Sequence, residues 1–159
     1  MYGFALAKLI TIILALVSLI SCVSENSGRA GDLQSMTLNP VSYFEIPVAD
    51  MDRAIDFYEA VFSLSLERTM IDSLDMALFP FDENGRGASG ALVKGDSYVP
   101  SSSGPRVYFS VESIDETLSR AISNGGNVAY PKTSVGDLGW VAEFKDSEGN
   151  QIALSSANE

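Results

Sequence analysis

Apolar and polar residues alternate from Val41 to Val48, with Phe44, Ile46 and Val48 on one face and Tyr43, Glu45 and Pro47 on the other. A period of two predicts a strand with one buried face. Asp50 then stands as a helix N-cap, and Met51, Ala54, Ile55, Tyr58, Val61 and Phe62 recur at helical spacing. Three further strands are predicted near Leu64–Ile71, Leu74–Pro80 and Ala88–Lys94, with "DENGRG" as the turn before the last.

The order then repeats. Val107, Phe109 and Val111 fall over Phe44, Ile46 and Val48, Ser113 over Asp50, and Leu118 over Ile55. Arg106 to Val111 is the second leading strand, and Ser113 to Glu116 is a capping box. Ile114, Leu118, Ala121 and Ile122 form the helical stripe, and "NGG" at Asn124 to Gly126 is a C-cap signal. Strands follow near Val128–Thr133, Trp140–Lys145 and Gln151–Ser155, with "DSEGN" as a tight turn; "SYVPSSSGP" links the copies. A half-sheet with one helix leaves its other face bare, and two copies cover it by curling around a shared cavity. The prediction is an α+β fold of two βαβββ modules (39–96 and 104–157) forming a curved, cup-like or barrel-like sheet with helices outside.

Composition narrows the partners more than the fold. A chain of 159 residues fits one domain, and 46% apolar content supports a packed core. The formal charge of −11 argues against nucleic acid, which selects basic surfaces. There is no histidine, which removes the commonest metal ligand and the commonest general base.

The first segment is expected to lie outside the fold. Lys8 precedes an apolar run from Leu9 to Ile20, which reads as a secretory signal over residues 1–21. The run ends in "LISC", Leu19 to Cys22, which resembles the lipobox of bacterial lipoproteins. That resemblance implies a lipidated Cys22, a membrane anchor and an extracytoplasmic place in the bacterial cell envelope. Cys22 is the only cysteine, so no disulfide is available. Residues 22–38 are polar enough to read as a tether, and the domain is expected over 39–157.

"FEIPVADMDRAIDFYEAVF", "SGALVKGDSYVP" and "KDSEGNQIALSS", set in the doubled βαβββ order, resemble the vicinal oxygen chelate superfamily. Glyoxalase I, bleomycin-resistance proteins and extradiol dioxygenases belong to it. The resemblance implies a cavity face with His or Glu at four metal-ligand places in metal-dependent members, and pairing as a homodimer in many relatives. Carried onto this chain, the four places hold Tyr43, Ala91, Arg106 and Ala153. Tyrosine is a rare ligand, arginine keeps its proton and alanine has no donor atom, so neither a metal nor another cofactor is expected.

Alternation gives an independent route to the cavity. Tyr43 and Glu45 face it from the first module, Arg106, Tyr108 and Ser110 from the second, with Gln151, Ala153 and Ser155 on the last strand. Ala142 and Phe144 pack on the helix side, which turns Glu143 inward. The leading reading is a metal-free protein that binds a small organic molecule: Arg106 orients an anionic or carbonyl group, and Tyr43, Tyr108 and Trp140 supply apolar contact. The competing reading is a lyase or isomerase related to lactoylglutathione lyase, with Glu45 or Glu143 as general base or with a non-standard metal site built on carboxylates. Two structural alternatives stand beside both. Arg106 with either glutamate is then a plain ion pair, or the cavity is vestigial and the domain is an interaction module. Lys132 reads as a solvated loop cation.

Overall fold

The computed structural model describes residues 40–157. The predicted signal, Cys22 and the tether lie outside the described residues. Among those described, no helix is long and apolar enough to cross a membrane.

The first module runs β1 (Tyr43–Pro47), α1 (Met51–Phe62), β2 (Glu67–Ile71), β3 (Leu74–Leu78) and β4 (Ser89–Lys94). The second runs β5 (Tyr108–Ser110), α2 (Ile114–Ser123), β6 (Asn127–Ser134), a 3-10 turn (Gly136–Leu138), β7 (Trp140–Lys145) and β8 (Gln151–Ser156). Asp50 caps α1 by accepting from the Arg53 amide, and Ser113 caps α2 by accepting from the Glu116 amide. The chain leaves α2 through Gly125 at φ 95°, where a left-handed backbone favours glycine.

The strand orders are β1-β4-β3-β2 and β5-β8-β7-β6. In each, the leading strand pairs parallel with the last, as Tyr43 with Ser89 and Tyr108 with Ala153. The two modules are therefore copies in topology as well as in pattern. They remain two separate four-stranded mixed sheets, with no closed barrel, because no ladder joins edge strand β1 to edge strand β5.

The main core lies on the helix side and is shared between the modules. Phe44 and Phe79 of the first module meet Phe109 of the second at 5.8 and 5.5 Å between ring centroids. Phe62 of α1 stacks on Phe109 at 4.4 Å, and Phe57 reaches Phe144 of β7 at 6.1 Å. Arg120 of α2 donates to the Val61 carbonyl at 2.7 Å, tying the end of one helix to the flank of the other.

A polar fastening completes the joint. The five-residue turn 146–150 between β7 and β8 reaches into the first module. Glu148 accepts from the Ala49 and Asp50 amides, each at 3.0 Å, and from Arg53 at 2.8 and 2.9 Å. Asn150 donates to the Pro47 carbonyl at 2.9 Å. Buried Tyr58 of α1 donates to Asp146 at 2.8 Å. Burial raises the Tyr58 hydroxyl well above its ordinary pKa, and the Asp146 charge adds to it. Above about pH 10 the unfolded phenol ionises while the folded one keeps its proton, so stability falls as pH rises there. Tyr58→Phe is expected to flatten that alkaline fall in a urea-midpoint series, while costing about 1–2 kcal/mol at neutral pH by leaving Asp146 short of a donor.

Candidate functional site

The β1–β4 and β5–β8 registers settle which residues share the cavity face. Glu45 sits opposite Ala91 and Tyr108 opposite Ala153, while Glu143 of β7 lies across from Ala153 on its other side. Tyr43 is 45% and Tyr108 52% exposed, so this face opens to solvent.

Two polar groups divide the face. In the second module, Arg106 stands just ahead of β5, two residues short of the strand predicted to carry it. Its side chain donates through Nε to Glu143 at 3.1 Å and through Nη1 to the Gly104 carbonyl at 2.8 Å. Gln151 donates to the same Glu143 oxygen. The Arg106 and Glu143 side chains are 29% and 20% exposed, a half-solvated pair rather than a dry one. Nη2 of Arg106 has no hydrogen-bond partner among the described residues.

Glu45 in the first module has a different partner. Tyr98 of the inter-module link donates its hydroxyl to Glu45 at 2.6 Å. Its ring packs on Met76, Ala91 and Val93, beside Leu74 and Leu78. The hydrogen bond to Glu45 raises the Tyr98 hydroxyl above its ordinary range, with burial adding to the shift. Burial also raises Tyr43, and the Glu45 charge contributes. The structure thus joins Arg106 to Glu143 and makes no contact between Arg106 and Glu45.

Trp140 goes elsewhere. It shares strand parity with Ala142 and Phe144, so its ring packs against the shared core instead of lining the cavity mouth. Lys132 lies 5.3 Å over that ring and pairs with Asp115 at 2.8 Å. It belongs to β6, not to a solvated loop. The apolar contact expected of Trp140 is corrected accordingly. Sequence reasoning also missed Tyr98: "SYVP" looks like linker, and only the aromatic beside Val99 hints at packing.

Two clefts open along the seam between the edge strands. One, of about 490 Å³, is walled by Phe44, Phe79, Tyr108 and Phe109, with the loop 80–88 at its rim. The other, of about 360 Å³, lies between Glu45, Pro47, Gln151 and the link residues Val99 to Pro105.

A metal of the family's kind does not fit the residues present. Ala91 and Ala153 are fully buried and carry no donor atom, and Arg106 is a fixed cation. Among the described residues no group of three His, Cys, Asp or Glu is placed to hold an ion.

The profile of the Glyoxalase/Bleomycin resistance protein/Dioxygenase superfamily matches residues 40–154. The chain belongs to this superfamily. Among solved members, TnmS3, an antibiotic binding protein from Streptomyces sp. CB03234, is 26% identical over 77% of this chain and 99% of its own, with a TM-score of 0.59. A glyoxalase/bleomycin resistance protein from the same Streptomyces strain is also 26% identical, covering 72% of this chain and 97% of its own, with a TM-score of 0.56. A glyoxylase/bleomycin resistance protein/dioxygenase domain from Frankia sp. EAN1pec shares the superfamily fold at 21% identity, over 77% of this chain and 100% of its own, with a TM-score of 0.60. No curated protein matches the sequence.

Proposed function

We propose that this superfamily member is a metal-free binding protein, tethered to a membrane of the bacterial cell envelope through lipidated Cys22. It holds a small organic molecule in the cavity between its two modules. The observation that carries the reading is Arg106: a half-buried guanidinium, fixed by Glu143 and Gly104, with Nη2 left to a ligand. An anionic or carbonyl oxygen is the natural acceptor there, with Tyr43 and Tyr108 as apolar flanks. The likeness to an antibiotic binding protein supports binding over turnover. Catalysis by Glu45 or Glu143 is the weaker reading. Glu45 already accepts from Tyr98, and Glu143 from Arg106 and Gln151, so both carboxylates are engaged by protein donors. Pairing as a homodimer rests on family analogy alone.

Thermal-shift titrations with a panel of small carboxylates and oxo-acids test the binding site. Wild-type protein should give at least one saturable hit, and Arg106→Met should weaken it by about tenfold or more with the fold intact. No hit, or a hit indifferent to the substitution, sinks the role given to Arg106.

The anchor has its own test. Cys22→Ala should move the protein from the membrane to the soluble fraction or halt its processing. A variant that is still processed and still membrane-bound refutes lipidation at Cys22.

A further inference from the structure

The two modules repeat each other in strand order but differ at the joint between the last two strands and the helix start. The turn 146–150 fastens onto the start of α1 through Glu148, but its counterpart between β3 and β4 has ten residues, 79–88, where the turn has five. Among the described residues this longer loop makes no hydrogen bond to α2 or to the strand before it. The 490 Å³ cleft opens between this loop and β5, walled by loop residues 80–88 and by Val107 to Ser110.

Its chemistry is specific. Phe44, Phe79 and Phe109 brace one another at 5.5 to 5.8 Å and give a stiff aromatic wall. Phe81 stands at the rim with 71% of its surface in water, a ring with nothing packed on it. Tyr108 closes the far side and is half exposed. Arg86 lines the same cleft and has no ion pair among the described residues. Gly87 at φ 95° turns the loop beside it through a backbone region that favours glycine. Aromatic walls favour offset or edge contact with another π-face, and a guanidinium in a plane favours a carboxylate or similar oxyanion.

We propose that this cleft is a second binding site, separate from Arg106, for a planar aromatic molecule carrying an anionic edge. The ring system lies between the Phe79–Phe109 wall and Phe81, and the anion meets Arg86. Equilibrium dialysis of 2-naphthoate against purified full-length protein tests it, with cyclohexanecarboxylate as the non-planar control. Saturable binding of the naphthoate is expected, with the control weaker by about tenfold. Arg86→Met and Phe81→Ala, both at exposed loop positions, should each weaken it by about tenfold, while Arg106→Met changes it by less than about twofold. Circular dichroism checks that the variants stay folded. Absence of saturable binding overturns the proposal, as does binding indifferent to both loop variants. Loss on Arg106→Met alone assigns the naphthoate to the Arg106 site and overturns it too. Failure of small carboxylates at Arg106 leaves this outcome readable, since the two sites share no charged residue.

Discussion

Glu148→Ala should destabilise the protein by about 2–4 kcal/mol, although the residue sits in a surface turn. The Glu148 side chain is fully buried, and its carboxylate accepts five hydrogen bonds: two from Arg53, two from the Ala49 and Asp50 amides and one from the Ser147 hydroxyl. Two of those donors are backbone groups at the start of α1, where a negative charge is favoured. Alanine removes every acceptor at once. Glu148→Gln keeps one acceptor oxygen and should cost roughly half as much. Burial works to raise the Glu148 carboxyl, but the hydrogen bonds from Arg53, Asp50 and Ala49 outweigh it and hold it below the usual range. Its contribution is therefore present above about pH 4.5 and lost as pH falls through the lowered folded value. Urea denaturation at pH 7 and pH 4 checks both points. Equal midpoints for Glu148→Ala and wild type at pH 7 would refute the fastening.

The largest loss is expected from Phe144→Ala, at about 3–5 kcal/mol. Phe144 is fully buried and touches Phe57 and Phe62 of the other module at 6.1 and 6.4 Å between centroids. Truncation leaves a cavity where both helices and both sheets converge, so little can collapse into it. Phe144→Leu keeps most of the volume and should cost less than half. Tyr108→Ala on the opposite face should shift the urea midpoint little, because that ring is already half in water. A large loss at Tyr108 with a small one at Phe144 would place the core on the wrong face of the sheets.

Periodicity carried the fold. Phe44, Ile46 and Val48, repeated by Val107, Phe109 and Val111, specify two leading strands, and the caps at Asp50 and Ser113 stand where the pattern puts them. Strand parity also explains the correction at Trp140. Alternation that turns Glu143 inward must turn Trp140 toward the core with Ala142 and Phe144. The candidate site was only partly readable, for a physical reason. The Arg106–Glu143 contact stays within one module, reaching from just ahead of β5 across β8 to β7, and a period of two brings both residues to one face. The Tyr98–Glu45 contact spans a link without periodicity, and the Glu148 contacts join turns nearly a hundred positions apart. Such long-range placement leaves no local signature.

The one-sided joint also bears on how the chain matures. During synthesis the first module emerges complete in its own strands and helix, yet its α1 lacks Glu148 until the chain has grown from Lys94 to residue 148. Its aromatic face waits briefly for Phe109 and longer for Phe144. The first half is thus expected to stay incompletely packed until β7 and the turn behind it have been made. A chain cut after β6 is expected to be cleared by proteolysis rather than to accumulate as a half-sized domain.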